Sequence, residues 1–112
     1  MKNEVYSLFV VGPESAAEVM SSALLGDVDA QFSAGLMFAE GRGVLKDLVQ
    51  SFFWLTRAFE RGDEDAGRLR DMIAAQMLPA QLLQAEKLLQ LEAEVASQLA
   101  TEIPSEDREI RH

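Results

Sequence analysis

The residues in this chain best suited to chemistry are carboxylates, and they gather in two places, Asp27 with Asp29 and Asp63 with Glu64 and Asp65. Converging carboxylates can hold a cation or form an acid–base pair. Neither cluster has the spacing or the glycine of a calcium loop. Both stand where a helical pattern begins, and there a carboxylate satisfies free backbone N–H groups and the positive end of the helix dipole. Capping is the reading, so no metal and no cofactor is expected. Gly41-Arg42-Gly43-Val44 shares only its glycines with a phosphate loop, since no strand precedes it and no Gly-Lys-Ser/Thr follows. A plain interhelical turn explains it. The single histidine is His112, in a polar tail, and there is no cysteine. Disulfides, thiolate metal sites and a cysteine nucleophile are therefore excluded. No catalytic residue is expected, and the chain reads as a binder, not an enzyme.

Bulk composition agrees. At 112 residues, 48% of them hydrophobic, the chain can build one core and one domain. Acidic residues outnumber Lys and Arg 19 to 10, for a net charge of −9. That surface repels phosphate backbones and anionic lipid heads, so nucleic acid and membrane are poor partners. A basic protein partner gains in association rate at modest salt. The apolar run from Val5 to Val11, broken only by Ser7, is too short to span a bilayer. It is also flanked by Glu4 and followed by no small-residue cleavage site, unlike a signal peptide. Residues 1–13 are read as an arm packing on the domain, and a cytoplasmic location is the default expectation.

The elements that must position any site are helices, because apolar residues recur at three- and four-residue spacing from Glu14 onward. Ala16, Val19, Met20, Ala23 and Leu24 form the stripe of a first helix ended by Gly26. A second runs from about Asp29 to Glu40 and a third from Asp47 to about Arg61, with Asp47 at its N-cap. A fourth reaches about Met77, where Pro79 forces a break, and a long Leu-rich helix follows to about Thr101. Residues 14–101 make the domain, and 102–112 are expected to be a polar, frayed tail.

An internal repeat organises these helices. Gly26-Asp27-Val28-Asp29-Ala30 recurs 36 residues later as Gly62-Asp63-Glu64-Asp65-Ala66. That period, made of two helices, marks an α-solenoid. The stretch AQFSAGLMFAEGRGVLKDLVQSFFWLTRAF, from Ala30 to Phe59, resembles the Sel1-like repeat, a relative of the tetratricopeptide repeat. The resemblance rests on Ala30-Gln31, Gly35, Phe38, Gly41-x-Gly43-Val44, Asp47, Trp54 and Ala58. It covers one nearly complete repeat with flanking halves, about Ala16 to Met77. Ala34, Ser51, Leu55 and Phe59 depart from it where Leu, Ala, Tyr and Ala are usual. Bulky Phe59 implies looser or different packing there. The resemblance implies an all-α solenoid of antiparallel helix pairs, about five helices with the last one as a cap. It also implies protein-scaffolding work in signalling, envelope or secretion complexes, most often in bacteria.

Most of the marked residues have structural readings. Gly35 permits close helix approach, with Ala58 expected to face it. The run Phe52, Phe53, Trp54, Phe59 is mostly core, with one ring left as a contact. The partner-binding expectation falls on the first helix of each pair, as in tetratricopeptide grooves: Asp29, Phe32, Leu36 and Glu40, then Asp65, Arg68, Met72 and Gln76. This shallow apolar strip with charged edges suits a peptide or helix, unless the arm or the last helix covers it. Along the last helix Leu88, Leu91, Val95 and Gln98 form one line and Leu82, Leu89 and Ala96 another, so one line is free for self-association as a homodimer. An adaptor that holds another protein, a self-assembling module and an acidic inhibitor of a basic target all remain open.

Overall fold

The computed structural model describes the backbone of residues 13–111 and the side chains of residues 16–100. Within it the chain is all-helical: α1 Pro13–Leu24, α2 Val28–Glu40, α3 Leu48–Glu60, α4 Glu64–Gln76 and α5 Pro79–Arg111. Of the arm expected over residues 1–13, residues 1–12 lie outside the described residues and Pro13 begins α1. The last helix runs ten residues past its expected end. Pro104 lies in its interior, where the missing N–H leaves the Ala100 carbonyl without its helical donor.

The repeated Gly-Asp pairs are joints that close one helix and open the next. Gly26 and Gly62 take positive φ, 101° and 112°, which a side chain would resist. At the first joint the Gly26 N–H donates to the Ala23 carbonyl and the Asp27 N–H to that of Ser22, at 3.0 and 3.1 Å. At the second, Gly62 donates to Phe59 and Asp63 to Ala58, at 2.9 and 3.1 Å. These paired bonds satisfy the last carbonyls of the outgoing helix. The aspartate carboxylates then accept from Ala30 and Ala66 N–H, at 3.0 and 3.1 Å, and start the incoming helix. Asp47 caps α3 in the same way, through the Gln50 N–H at 3.1 Å.

Helix α3 is the hub: it approaches α2, α4 and α5 closely, while α1 approaches α2. Leu55 and Ala58 of α3 are fully buried and share a cluster with Ala66 and Ile73 of α4, Met77 just past its end and Ala85 of α5. A smaller cluster joins Ala23 of α1, Ala34 of α2 and Trp54 of α3, with Val19, Met20, Phe38 and Phe53 around it. Two buried polar side chains tie the layers. The Gln31 amide nitrogen donates to the Ala23 carbonyl at 3.1 Å, and the Ser51 hydroxyl to the Gly35 carbonyl at 2.8 Å. Ser51, a departure from the repeat pattern, thus bonds directly to the glycine of that pattern.

Two expectations need correction. Gly35 faces Leu55, not Ala58: a Cβ there would lie 2.5 Å from the Leu55 side chain. Leu55 is one turn nearer the start of α3, and its larger side chain fills the gap that glycine leaves. Leu24, expected on the buried stripe of α1, is 71% exposed, because the buried face of α1 is centred on Ala16 and Ala23 and the next residue points about 100° away from it. Phe59 has a specific seat. Gly67 of α4 leaves room for its ring, and the Arg70 guanidinium lies over it, 4.8 Å from the centroid.

Candidate protein-docking site

Two surfaces compete as the site, and they are built differently. The strip expected on α2 and α4 divides into unlike halves. On α2, Phe32 and Leu36 are half-buried, and Phe32 packs into the core around Leu55 and Ile73. Asp29 and Glu40 are exposed beside them, and Glu40 pairs with Arg42 at 2.6 Å. On α4, Arg68, Met72 and Gln76 are all exposed, and Arg68 pairs with Asp65. Exposed apolar surface on this strip is therefore mainly Met72, between charges.

The second surface lies between α3 and α5. Leu82, Ala85 and Leu88 bring α5 onto the core, at the three-residue spacing of one helix face. That docked face takes one residue from each of the two lines expected along the helix. From Gln90 to Ala100 the residues of α5 are exposed, and between this helix and α3 lies a cleft of about 300 Å³ lined by Gln50, Phe53, Leu88, Leu91, Glu92 and Val95. Its walls are almost wholly apolar. Leu91 and Val95 remain 58% and 48% exposed, and Leu99 continues the line. The cleft gathers Leu88, Leu91 and Val95, the residues singled out for self-association, with Phe53 from the aromatic run.

One cation braces this wall. Arg57 pairs with Glu92 of α5, and its guanidinium lies 5.7 Å from the Phe53 ring centroid and 5.9 Å from that of Trp54. Phe53 and Trp54 meet edge to face, with centroids 5.1 Å apart. The opposed charges and the edge-to-face rings brace this end of the cleft. Gln50, Arg57 and Glu92 were missed by sequence reasoning. Their only signal was proximity to the aromatic run and to the leucine line, since nothing local shows which helices meet. Gly35, Trp54 and Ala58 are buried packing residues, Asp47 is a cap, and Gly41 and Gly43 turn the chain at φ 72° and 74°.

Among the described residues no group of three or more His, Cys, Asp or Glu side chains is placed to hold a metal ion. No described helix is long and apolar enough to cross a membrane. What the geometry offers is an apolar cleft with a charged rim, suited to a hydrophobic segment of another chain. Comparison with protein-family models, with curated proteins and with solved structures finds no match to this chain.

Proposed function

We propose that this protein is a Sel1-like helical interaction module that holds a partner protein by an apolar segment seated between α3 and α5. The observation that carries the reading is the cleft itself: an apolar recess walled by Phe53, Leu88, Leu91 and Val95 and continued by exposed Leu99. Exposed apolar surface gathered in this way marks an interaction site. Support for the repeat relationship comes from the two Gly-Asp joints and from contacts that pair α2 with α3 in opposite order. Phe38 meets Asp47 through a backbone bond, and Gly35 meets Ser51. An antiparallel helix pair produces that order. The net charge of −9 favours a partner segment with basic flanks, through faster association and not through tighter contact.

The cleft displaces the α2/α4 strip as the docking surface in this reading, and two charged variants decide between them. A tagged chain carrying Leu91→Glu and Val95→Glu is compared with one carrying Leu36→Glu and Met72→Glu in recovery of partners from native lysate. Circular dichroism checks the helices of both. Loss of the partner with the first pair alone supports the cleft. Loss with the second pair alone returns the site to the strip, and no specific partner for the unmodified chain overturns the adaptor reading. Self-assembly is the second reading, favoured by exposed Leu91, Val95 and Leu99 at four-residue spacing on α5. Light scattering at micromolar concentration reports it directly.

A further inference from the structure

From the make-up of the cleft we infer that the segment it seats is a basic amphipathic α-helix, with apolar residues at three- and four-residue spacing and Lys or Arg on its flanks. The inference rests on the reading of the cleft as a docking surface and names the chemistry of its occupant.

Backbone chemistry selects the helix. A bound segment brings backbone N–H and C=O groups with it, and each costs free energy when buried without a partner. The cleft walls are almost wholly apolar. Of the two polar residues that line it, Glu92 already pairs with Arg57, and Gln50 is the other. An extended peptide meets its backbone needs by adding to a sheet edge, and the described residues contain no strand. A helix closes its backbone bonds within itself.

The shape of the surface agrees. Leu91, Val95 and Leu99 are 58%, 48% and 54% exposed, and their four-residue spacing makes a ridge along α5. Phe53 lines the cleft from α3. A groove bounded by two helices in this way receives the ridge of a third. From Leu88 to Leu99 it runs for about 16 Å, or about three turns of a bound helix.

Charge selects the sign. Between Gln90 and Ala100, where every residue is exposed, the charged residues are Glu92 and Glu94. Arg57 neutralises the first. Glu94 flanks the ridge, three residues after Leu91, and is in no ion pair among the described residues. A second copy of α5 has the right spacing and the wrong sign. Over residues 79–100 it carries Glu86, Glu92 and Glu94 against Lys87 alone, and two chains of net charge −9 repel each other. A basic helix is attracted on both counts.

Synthetic peptides test this on the full chain. Three of about 16 residues, long enough to form a helix, are titrated by calorimetry. One sets leucines at three- and four-residue spacing among lysines, one alternates the same leucines and lysines, and one repeats the first with glutamate for lysine. The first should bind about tenfold more tightly than the second, a difference of about 1.4 kcal/mol, and the third should not bind. Binding of the first should shift the Leu91 and Val95 methyl resonances and leave that of Met72 in place. Leu91→Glu with Val95→Glu should abolish binding although it adds two negative charges. Tighter binding to that variant means charge attraction alone and overturns the inference, as does an alternating peptide that binds as well as the helical one. Glu94→Lys, an exposed change, should weaken the first peptide about twofold to fivefold, and an unchanged affinity overturns the charge assignment. A dimer of the unmodified chain that Leu91→Glu with Val95→Glu separates makes a second copy the occupant and also overturns the inference. The lysate experiment stays independent. A helical peptide seated in the cleft, with partner recovery indifferent to Leu91→Glu and Val95→Glu, sinks the functional reading alone. Recovery abolished by that pair, with no preference for the helical peptide, sinks this inference alone.

Discussion

Two glycines let helices close on α3, and the contrast between them shows how the molecule divides. At Gly35 the space is filled by Leu55, which is completely buried, and the approach is locked by the Ser51 hydroxyl on the Gly35 carbonyl. At Gly67 the space is filled by Phe59, which is 41% exposed and covered on one side by Arg70. The same device gives a sealed contact between α2 and α3 and an open one between α3 and α4. The reason is the course of α5. It docks on α3, so no later helix closes over Phe59 as α2 and α4 close over Leu55.

The largest expected effect breaks the sealed side. Leu55→Ala should cost about 2–5 kcal/mol, because its cavity has no route to solvent and little means of collapse. Phe59→Ala should cost well under half as much, and urea unfolding of the two variants measures the gap directly. Next comes Gly35→Ala, whose new methyl would meet the Leu55 side chain at 2.5 Å. Overpacking of a fixed neighbour should cost about 1–3 kcal/mol, seen as a lower melting temperature. Ser51→Ala removes one buried hydrogen bond and should cost about 1 kcal/mol. A double-mutant cycle with Gly35→Ala should show coupling, since both changes act on one contact. The smallest effect sharpens the comparison. In Gly67→Ala the Phe59 ring can swing toward solvent, and alanine gains about 1 kcal/mol of helix propensity over glycine. Stability should stay within about 1 kcal/mol of the unmodified chain, and a loss as large as that of Gly35→Ala would erase the distinction.

Much of this was legible in the residues. The helix ends were encoded by local chemistry: Gly26-Asp27, Gly62-Asp63, Gly41 and Asp47 each act within a few residues, so their roles follow from the order of the chain. The burial of Gly35, Trp54 and Ala58 was legible too, through spacing. The facing partner of Gly35 was not, because Leu55 and Ala58 lie on the same side of α3 and only the rotation of the helices chooses between them. The docking of α5 was hidden for a related reason. Leu82, Leu83, Leu88, Leu89, Leu91, Val95 and Leu99 surround much of that helix. A pattern apolar on several sides names no single inward face, and the shape of α3 makes the selection.

Trp54 gives the molecule an optical consequence. It is the sole tryptophan, 5% exposed in the cluster that joins α1, α2 and α3. Its indole N–H is buried without a hydrogen-bond partner among the described residues. An indole held that way emits toward the blue, and release of α1 would admit solvent and move the emission to the red. Because Phe53 touches that same indole and walls the cleft, the emission colour records events in the recess as well, without any added dye.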